Sequence, residues 1–263
     1  FDYYFNDRGE KELSEGNAVG SIWSYSCFLR YGITDKLELG LSLPFSSEKI
    51  TQNLEFELPF LDSTGRVQYT VTGKGMRDPE LTVGYQFVRG LADQPSLGAF
   101  ITVTIPIMEK NPTNIDPANP YTYTKPQSNG EWAVNTSVHY RKIRFPFSYN
   151  FHASYKINFG GTKILDPEDT EPKPFKSGNS LAVTATFNLH LNNWIAWKNL
   201  INYDNFSPDE EDGVQGTGSQ LLSYIPGLSF QIRQFRLDQA IIIPVTGTNS
   251  AASQIYTIVF QYT

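Results

Sequence analysis

The sequence predicts an all-β protein, a transmembrane, antiparallel, up-and-down β-barrel of twelve strands. Three observations predict this fold class. Apolar and polar residues alternate with a period of two along most of the chain, which is the pattern of a strand with two different faces. Many alternating stretches are about 10–14 residues long, whereas globular strands have about five or six and membrane strands about 9–11. Short and long connections also alternate, as they do in outer-membrane barrels.

Residues 36–45 and 145–159 show the alternation most clearly. In the first stretch, leucine or phenylalanine alternates with Glu38, Gly40, Ser42 and Pro44. In the second stretch one face is apolar, and the other carries Ser148, Asn150, His152, Ser154, Lys156 and Asn158. A barrel strand turns its apolar face to lipid, so we assign these polar residues to the lumen.

The same alternation assigns the remaining strands. It is strong in 80–87, 96–107 and 180–191, and weaker in 20–31, 131–141, 195–203, 222–232, 237–245 and 255–262. These stretches bring the number of strands to eleven. The twelfth is expected at 1–7 (FDYYFND), because an even number of strands lets the first strand pair with the last and leaves no open edge.

The connections fall into two groups. Short ones are expected at 32–36, 89–95, 142–145, 192–193 and 233–235, and long polar ones at 46–78, 108–130, 160–178, 205–218 and 246–253. In outer-membrane barrels the short turns are periplasmic and the long loops are external. This rule places both termini in the periplasm, and residues 50–72 are expected to form a hairpin within the first long loop.

Composition excludes several other classes of protein. The net charge of −6 argues against nucleic acid as a partner, because a phosphate-binding face needs clustered Lys and Arg. No apolar run approaches the ~20 residues of a membrane helix, and the single cysteine, Cys27, permits no internal disulfide. Aromatic residues make up 14% of the chain, and Trp23, Trp132 and Trp197 are candidate interfacial anchors. We see no linker, so residues 1–263 are expected to form one barrel domain from which any signal peptide has already been removed.

Two segments resemble a known family. The segments are YGITDKLELGLSLPF (31–45) and GMRDPELTVGYQF (75–87), and the matching positions are Tyr31, Gly32, Thr34, Asp35, Glu38, Gly40, Pro44, Asp78 and Pro79. They resemble the outer-membrane proteins of the MetA-pathway of phenol degradation family. The resemblance covers about 31–107 and implies a channel for small, often hydrophobic, compounds; its motifs carry no catalytic chemistry.

Charged residues on the predicted lumen faces are the candidates for solute selection. Arginine or lysine facing lipid at the bilayer midplane costs about 2–4 kcal/mol, so these side chains are expected inside. They are Arg30, Glu38, Glu80, Arg141, Lys156, Lys198, Asp204, Arg236 and Asp238. We single out Arg30, Glu38, Glu80, Arg236 and Asp238. The first three are expected to form one ion-paired network, which either fills the lumen or forms a solute-selecting constriction.

Other chemistry is considered and set aside. His152 and Ser154 resemble the His-x-Ser of an outer-membrane phospholipase, but in that enzyme the pair faces lipid, whereas here it shares the lumen face. His139 and His190 are expected at one low level about 10 Å apart, with His152 higher, so the three histidines do not predict a metal site. No enzyme activity, cofactor or metal is expected.

The predicted function is passive or facilitated passage of a small solute, of a hydrophobic or aromatic kind, across the bacterial outer membrane. The alternative is a non-transporting accessory or scaffold subunit of a larger outer-membrane complex, with the loops at 46–78 and 108–130 as binding surfaces. Acidic loops such as 166–171 and 209–212 suit lipopolysaccharide bridged by divalent cations. Expected partners are therefore outer-membrane lipid, lipopolysaccharide and a small solute, with other outer-membrane proteins as partners of the long loops.

Overall fold

The structure, a computed structural model, describes most of the chain. The described residues are 3–5, 11–13, 18–58, 63–90, 94–111, 113–114, 122–164, 171–251 and 255–262. In these ranges all regular secondary structure is β, and no helix there is long and apolar enough to cross a membrane.

The strands are given in chain order. They are β1 (Tyr3–Phe5), β2 (Lys11–Leu13), β3 (Ala18–Gly32), β4 (Leu37–Leu58), β5 (Ser63–Met76), β6 (Glu80–Val88), β7 (Ser96–Thr104), β8 (Thr113–Asn114), β9 (Thr122–Thr124), β10 (Ala133–Arg144), β11 (Phe147–Asn158), β12 (Gly161–Lys163), β13 (Lys173–Lys176), β14 (Ser180–His190), β15 (Ile195–Phe206), β16 (Glu210–Glu211), β17 (Val214–Gln215), β18 (Ser219–Ile232), β19 (Phe235–Thr248), β20 (Ser250–Ala251) and β21 (Ile255–Tyr262).

Twelve antiparallel strands form the main sheet, which confirms the predicted fold class of an up-and-down antiparallel barrel. They are β3, β4, β5, β6, β7, β10, β11, β14, β15, β18, β19 and β21. Apart from β6, which pairs with β4, neighbours among these twelve strands follow one another along the chain, as in an up-and-down order. The short strands β8 and β9 extend the same sheet beside β5.

The predicted long loop at 46–78 is mostly strand, which corrects the sequence prediction. β4 runs for 22 residues. Its C-terminal part pairs with β5, from Phe45↔Met76 to Leu58↔Ser63. The N-terminal part of β4 pairs with β6, where Ser42 lies opposite Glu80. β5 and β6 therefore pair in succession with the same edge of β4, and residues 77–79 interrupt them. The hairpin predicted at 50–72 is confirmed by the ladder that runs from Ile50↔Val71 to Leu58↔Ser63.

The twelve strands of the main sheet count β5 and β6 separately and do not include the described part of the strand predicted at 1–7. Of that predicted strand, Tyr3–Phe5 is described, and it pairs with β2 and with β20, where Tyr4 lies opposite Ala251. These three strands form a sheet of their own. Within the part of the chain that the structure describes, no ladder joins β3 to β21.

The two faces of the long strands differ as the alternation predicted. Large apolar side chains point away from the lumen and remain exposed, for example Leu39 and Phe151, both 43% exposed. Small polar side chains point inward and are buried, for example Ser148 at 4% and Ser223 at 2%. A soluble protein shows the opposite distribution, so the outer surface is suited to lipid.

Exposed tryptophans mark both ends of the strands. Trp23 and Trp132 lie near the end that carries the long connections, and Trp194 and Trp197 lie near the end that carries the short turns. Interfacial tryptophans at two levels are typical of proteins that span a bilayer.

The short turns occupy one end of the sheet, here named the turn end. They comprise 33–36, 89–95, 145–146, 191–194 and 233–234. Side chains cap two of them: Thr34 Oγ1 accepts the Leu37 backbone N–H at 3.0 Å, and Asn192 Oδ1 accepts those of Trp194 and Ile195 at 2.7 and 2.8 Å. These caps fix the register of the strands that follow.

The long connections occupy the opposite end, here named the loop end. Two of them together form a four-stranded sheet, β12–β13–β16–β17, in which Phe175 lies opposite Glu211. The predicted long connections are present between β7 and β10, between β11 and β14 and between β15 and β18, whereas β4 and β5 are separated by four residues only.

Candidate functional site

Polar cavities lie inside the described part of the barrel, and three of them form the candidate site. The loop-end cavity, of about 380 Å³, lies among Ser42, Glu80, Thr104 and Lys156. The Arg30 cavity, of about 340 Å³, lies at the turn end and includes Glu38 and His139. The Arg236 cavity, of about 260 Å³, lies beside it and includes Lys198 and His190. The candidate site is this chain of cavities.

The connection between β7 and β10 folds over the loop-end cavity and is held by Asp78. Asp78 Oδ1 accepts the backbone N–H of Met108 at 3.2 Å, and Oδ2 accepts the Ser128 hydroxyl at 2.5 Å. Ser128 Oγ in turn accepts the Gly130 N–H at 2.8 Å. We name the Asp78–Met108–Ser128 contacts the latch. Because Asp78 stands in the break between β5 and β6, the latch ties the connection to the wall.

Residues 125–131, here named the cap segment, are also bound to β4 and β5. The Ser46 hydroxyl donates to Gln127 Oε1 at 2.7 Å, and Lys125 Nζ lies 3.2 Å from Glu48 Oε1. A Cβ at Gly73 would lie 2.8 Å from Gln127 Nε2, so glycine leaves room for this side chain. The cap segment contributes Gln127, Asn129 and Glu131 to the lining of the loop-end cavity.

Glu131 connects the cap segment to the next external connection. Its side chain is buried, its Oε1 accepts the Ser177 N–H at 2.7 Å, and its Oε2 accepts the Ser177 hydroxyl. Lys163 lies nearby, with Nζ 3.4 Å from the centre of the Phe175 ring. Burial lowers the pKa of Lys163, and the negative charge of Glu131 opposes that shift. The cap segment is therefore bonded both to the wall and to the connection between β11 and β14.

An aromatic cluster projects into the lumen between the cavities. The Phe100 ring meets His139 edge-on at 5.0 Å between ring centres, and His139 lies 4.1 Å from His152. A Cβ at Gly84 would lie 2.6 Å from the Phe100 ring, so this glycine lets the ring lie across the neighbouring strand. Sequence reasoning missed Phe100. The available signal was an aromatic residue on the polar face of its strand, with glycines nearby on the same face.

The histidines are arranged differently from the prediction. His139 and His152 are direct partners across the β10–β11 ladder, so the expectation that His152 lies higher was wrong. The reason is the tightness of the turn: both strands continue to Arg144 and Phe147, and each histidine is five residues from that end. His190 lies apart, with Nε2 3.0 Å from Ser148 Oγ.

Neither alternative chemistry is assembled by these residues. His152 Nε2 has no hydrogen-bond partner in the described structure, and therefore none in Ser154. Within the described ranges no group of three or more His, Cys, Asp or Glu side chains is placed to hold a metal ion.

The five predicted selector residues are divided among the cavities. Arg30 and Glu38 line the Arg30 cavity, Glu80 lines the loop-end cavity, and Arg236 lines the Arg236 cavity. Asp238 accepts from Lys198 Nζ and from Arg236 Nε, each at 3.1 Å.

The single network expected of Arg30, Glu38 and Glu80 does not form. No ion pair joins these three described residues, because Glu38 and Glu80 line different cavities.

Comparison with solved structures supports the fold. The COG4313 outer membrane channel from Pseudomonas putida F1 aligns with a TM-score of 0.70 over 99% of this chain and 89% of that one, at 13% sequence identity. The chain has the fold of an outer-membrane barrel. A Pseudomonas aeruginosa FadL homologue aligns more loosely, with a TM-score of 0.46 and 12% identity over 98% of this chain and 70% of that one.

The sequence itself identifies no family. No family model matches the barrel, and no curated protein matches it. The resemblance to the MetA-pathway family is therefore not confirmed. Two of its motif residues nevertheless have structural roles in the barrel, since Thr34 caps a turn and Asp78 forms the latch.

Replacing Phe100 with alanine is expected to widen the barrel between its cavities. The ring would no longer lie across Gly84, so ion flow through the lumen should rise several-fold in a planar-bilayer recording. The matched control is Phe87→Ala, which removes an equal volume from an exposed, outward-facing position on β6. Equal conductance in the two variants would contradict a constriction at Phe100.

Proposed function

We propose that the barrel lets a small solute cross the bacterial outer membrane through its lumen. The observation that carries the proposal is the set of polar cavities inside a wall whose outer face is apolar. A lumen with no solute to pass needs only a packed interior, whereas this one contains space at both ends. A barrel of this size admits small molecules at most.

The route of the solute follows from the cavities. It enters at the loop end past the cap segment, passes the aromatic cluster of Phe100, His139 and His152, and leaves through the turn end. A flat or aromatic solute suits that cluster, because aromatic rings stack at the distances seen there. Arg30, Glu38, Glu80, Arg236 and Asp238 are the proposed selectors along the route.

The orientation is part of the proposal. The loop end is external and the turn end periplasmic, as in outer-membrane barrels generally. The C-terminal end of β21 then lies on the periplasmic side, because Tyr262 pairs with Phe235 beside a short turn. Tyr3–Phe5 lies instead at the loop end, paired with β20, which does not support a periplasmic position for that segment. The acidic external surface faces lipopolysaccharide and its divalent cations.

Single-channel recording of the purified protein in a planar bilayer tests the proposal. The expected result is a reproducible open level, together with swelling of proteoliposomes in a small sugar. The proposed transport would be contradicted if the membranes stay sealed in both assays while heat-dependent migration on a gel shows that the protein is folded.

A second candidate is supported by one observation, the β4–β5 hairpin. It continues the wall in unbroken register beyond the other strands, so it presents an ordered surface to another outer-membrane protein. An accessory or scaffold role predicts electrical silence together with partners that co-purify through this hairpin.

A further inference from the structure

The Arg236 cavity has an uneven distribution of charge. Its lining includes the basic side chains Arg141, Lys198 and Arg236 together with His190. Among the described residues the carboxylate that bonds to them is that of Asp238, at 3.1 Å from both Lys198 Nζ and Arg236 Nε. Three cations against one anion leave a positive excess at this cavity.

Arg141 carries the unmatched charge. No carboxylate of the described residues forms an ion pair with it, and its side chain is exposed within the lumen. It stands opposite Asn150 on β11 and Ser96 on β7, which places it on the lumen face of β10. Arg141 lines both the Arg30 cavity and the Arg236 cavity, so a solute moving between them passes its guanidinium.

The neutral groups of the cavity are also suited to an anion. Amide side chains of Asn150, Asn192 and Gln231 share the lining with Arg141 and Arg236. Amide N–H groups and guanidinium groups donate hydrogen bonds, and the planar fork of arginine matches the two oxygens of a carboxylate. The surrounding side chains thus offer more donors than the protein itself uses.

We propose that the Arg236 cavity is a binding site for the carboxylate group of a small solute, with Arg141 as its main ligand. This rests on the proposed passage of a solute through the lumen, and it adds the class of solute: an organic carboxylate, with an aromatic body that suits the cluster around Phe100. Lys198 and Arg236 keep their bonds to Asp238 and contribute long-range attraction.

Titration of the detergent-purified protein with sodium benzoate tests the site independently of transport. Wild-type protein is expected to bind benzoate, and Arg141→Gln to weaken binding about tenfold, the effect of losing one hydrogen bond to a charged group. The matched control is Arg144→Gln, the same change on the same strand but facing away from the lumen. Undetectable benzoate binding, or equal binding by both variants, would overturn the site.

A reversal potential in a potassium chloride gradient tests the same inference in the working channel. Chloride is expected to be preferred over potassium, with the preference reduced in Arg141→Gln and retained in Arg144→Gln. A potassium preference in a conducting wild-type channel would overturn the anion site and leave transport standing. Benzoate binding by a protein that never conducts would overturn transport and leave the site standing.

Discussion

Replacing Phe151 with arginine is expected to destabilise the folded barrel by about 2–4 kcal/mol, because it puts a charge in the middle of the lipid-facing surface. Phe151 lies near the centre of β11 and is 43% exposed on the outer face. Its neighbour His152 points into the lumen, where its ring meets that of His139. A change of one position along this strand therefore reverses the environment of the side chain.

The matched control is Ser154→Arg, three residues along the same strand on the lumen face. There the new guanidinium can be hydrated, so the loss of stability should be much smaller. Urea titration of protein folded into lipid vesicles, read by heat-dependent gel migration, measures both. Equal tolerance of arginine at the two positions would remove the physical basis of the membrane assignment.

Replacing Asp78 with alanine is expected to release the cap segment and to open the loop end. The variant loses two hydrogen bonds to a charged carboxylate, each of which contributes about 1.5–3 kcal/mol. In planar bilayers the open time and the conductance should both rise several-fold. Ser128→Ala removes one of the two bonds and should give a smaller change in the same direction.

The control for the latch is Glu210→Ala, which removes one exposed negative charge from the same end without touching Asp78. Asp78→Ala combined with Ser128→Ala should act little more strongly than Asp78→Ala alone, because the two residues share one contact. Full additivity, or a conductance like that of Glu210→Ala, would show that the latch does not hold the cap segment closed.

Much of the wall is predictable from the sequence, since lipid on one side and water on the other impose a period of two. The stretch at 145–159 shows this, with every second residue apolar and the lumen residues small or polar. Prediction was weaker where that constraint ends. Residues 50–58 and 63–72 alternate only weakly, so their pairing was expected only as a hairpin, and its continuity with β4 was missed.

The sequence predicted which side chains point into the lumen, but not which of them contact each other. The alternation of the two strand faces placed Arg236 and Asp238 inside, and the structure brings them together with Lys198. The latch could not be predicted, because Asp78 and Ser128 are 50 residues apart and neither lies in an alternating stretch. The pairing of His139 with His152 was missed because it depends on a turn of two residues, and an error of one or two residues there shifts every lateral neighbour.

The length of β4 sets how far the molecule projects from the bilayer. At about 3.3 Å per residue its 22 residues extend about 70 Å, and at a tilt of about 40° they rise about 55 Å. The hydrocarbon takes up about 30 Å of that height, so with the loop end outward the upper part stands about 25 Å above it. The described end of the hairpin, at Leu58 and Ser63, therefore lies among the sugars of the cell envelope, where it is accessible to a bacteriophage or an antibody.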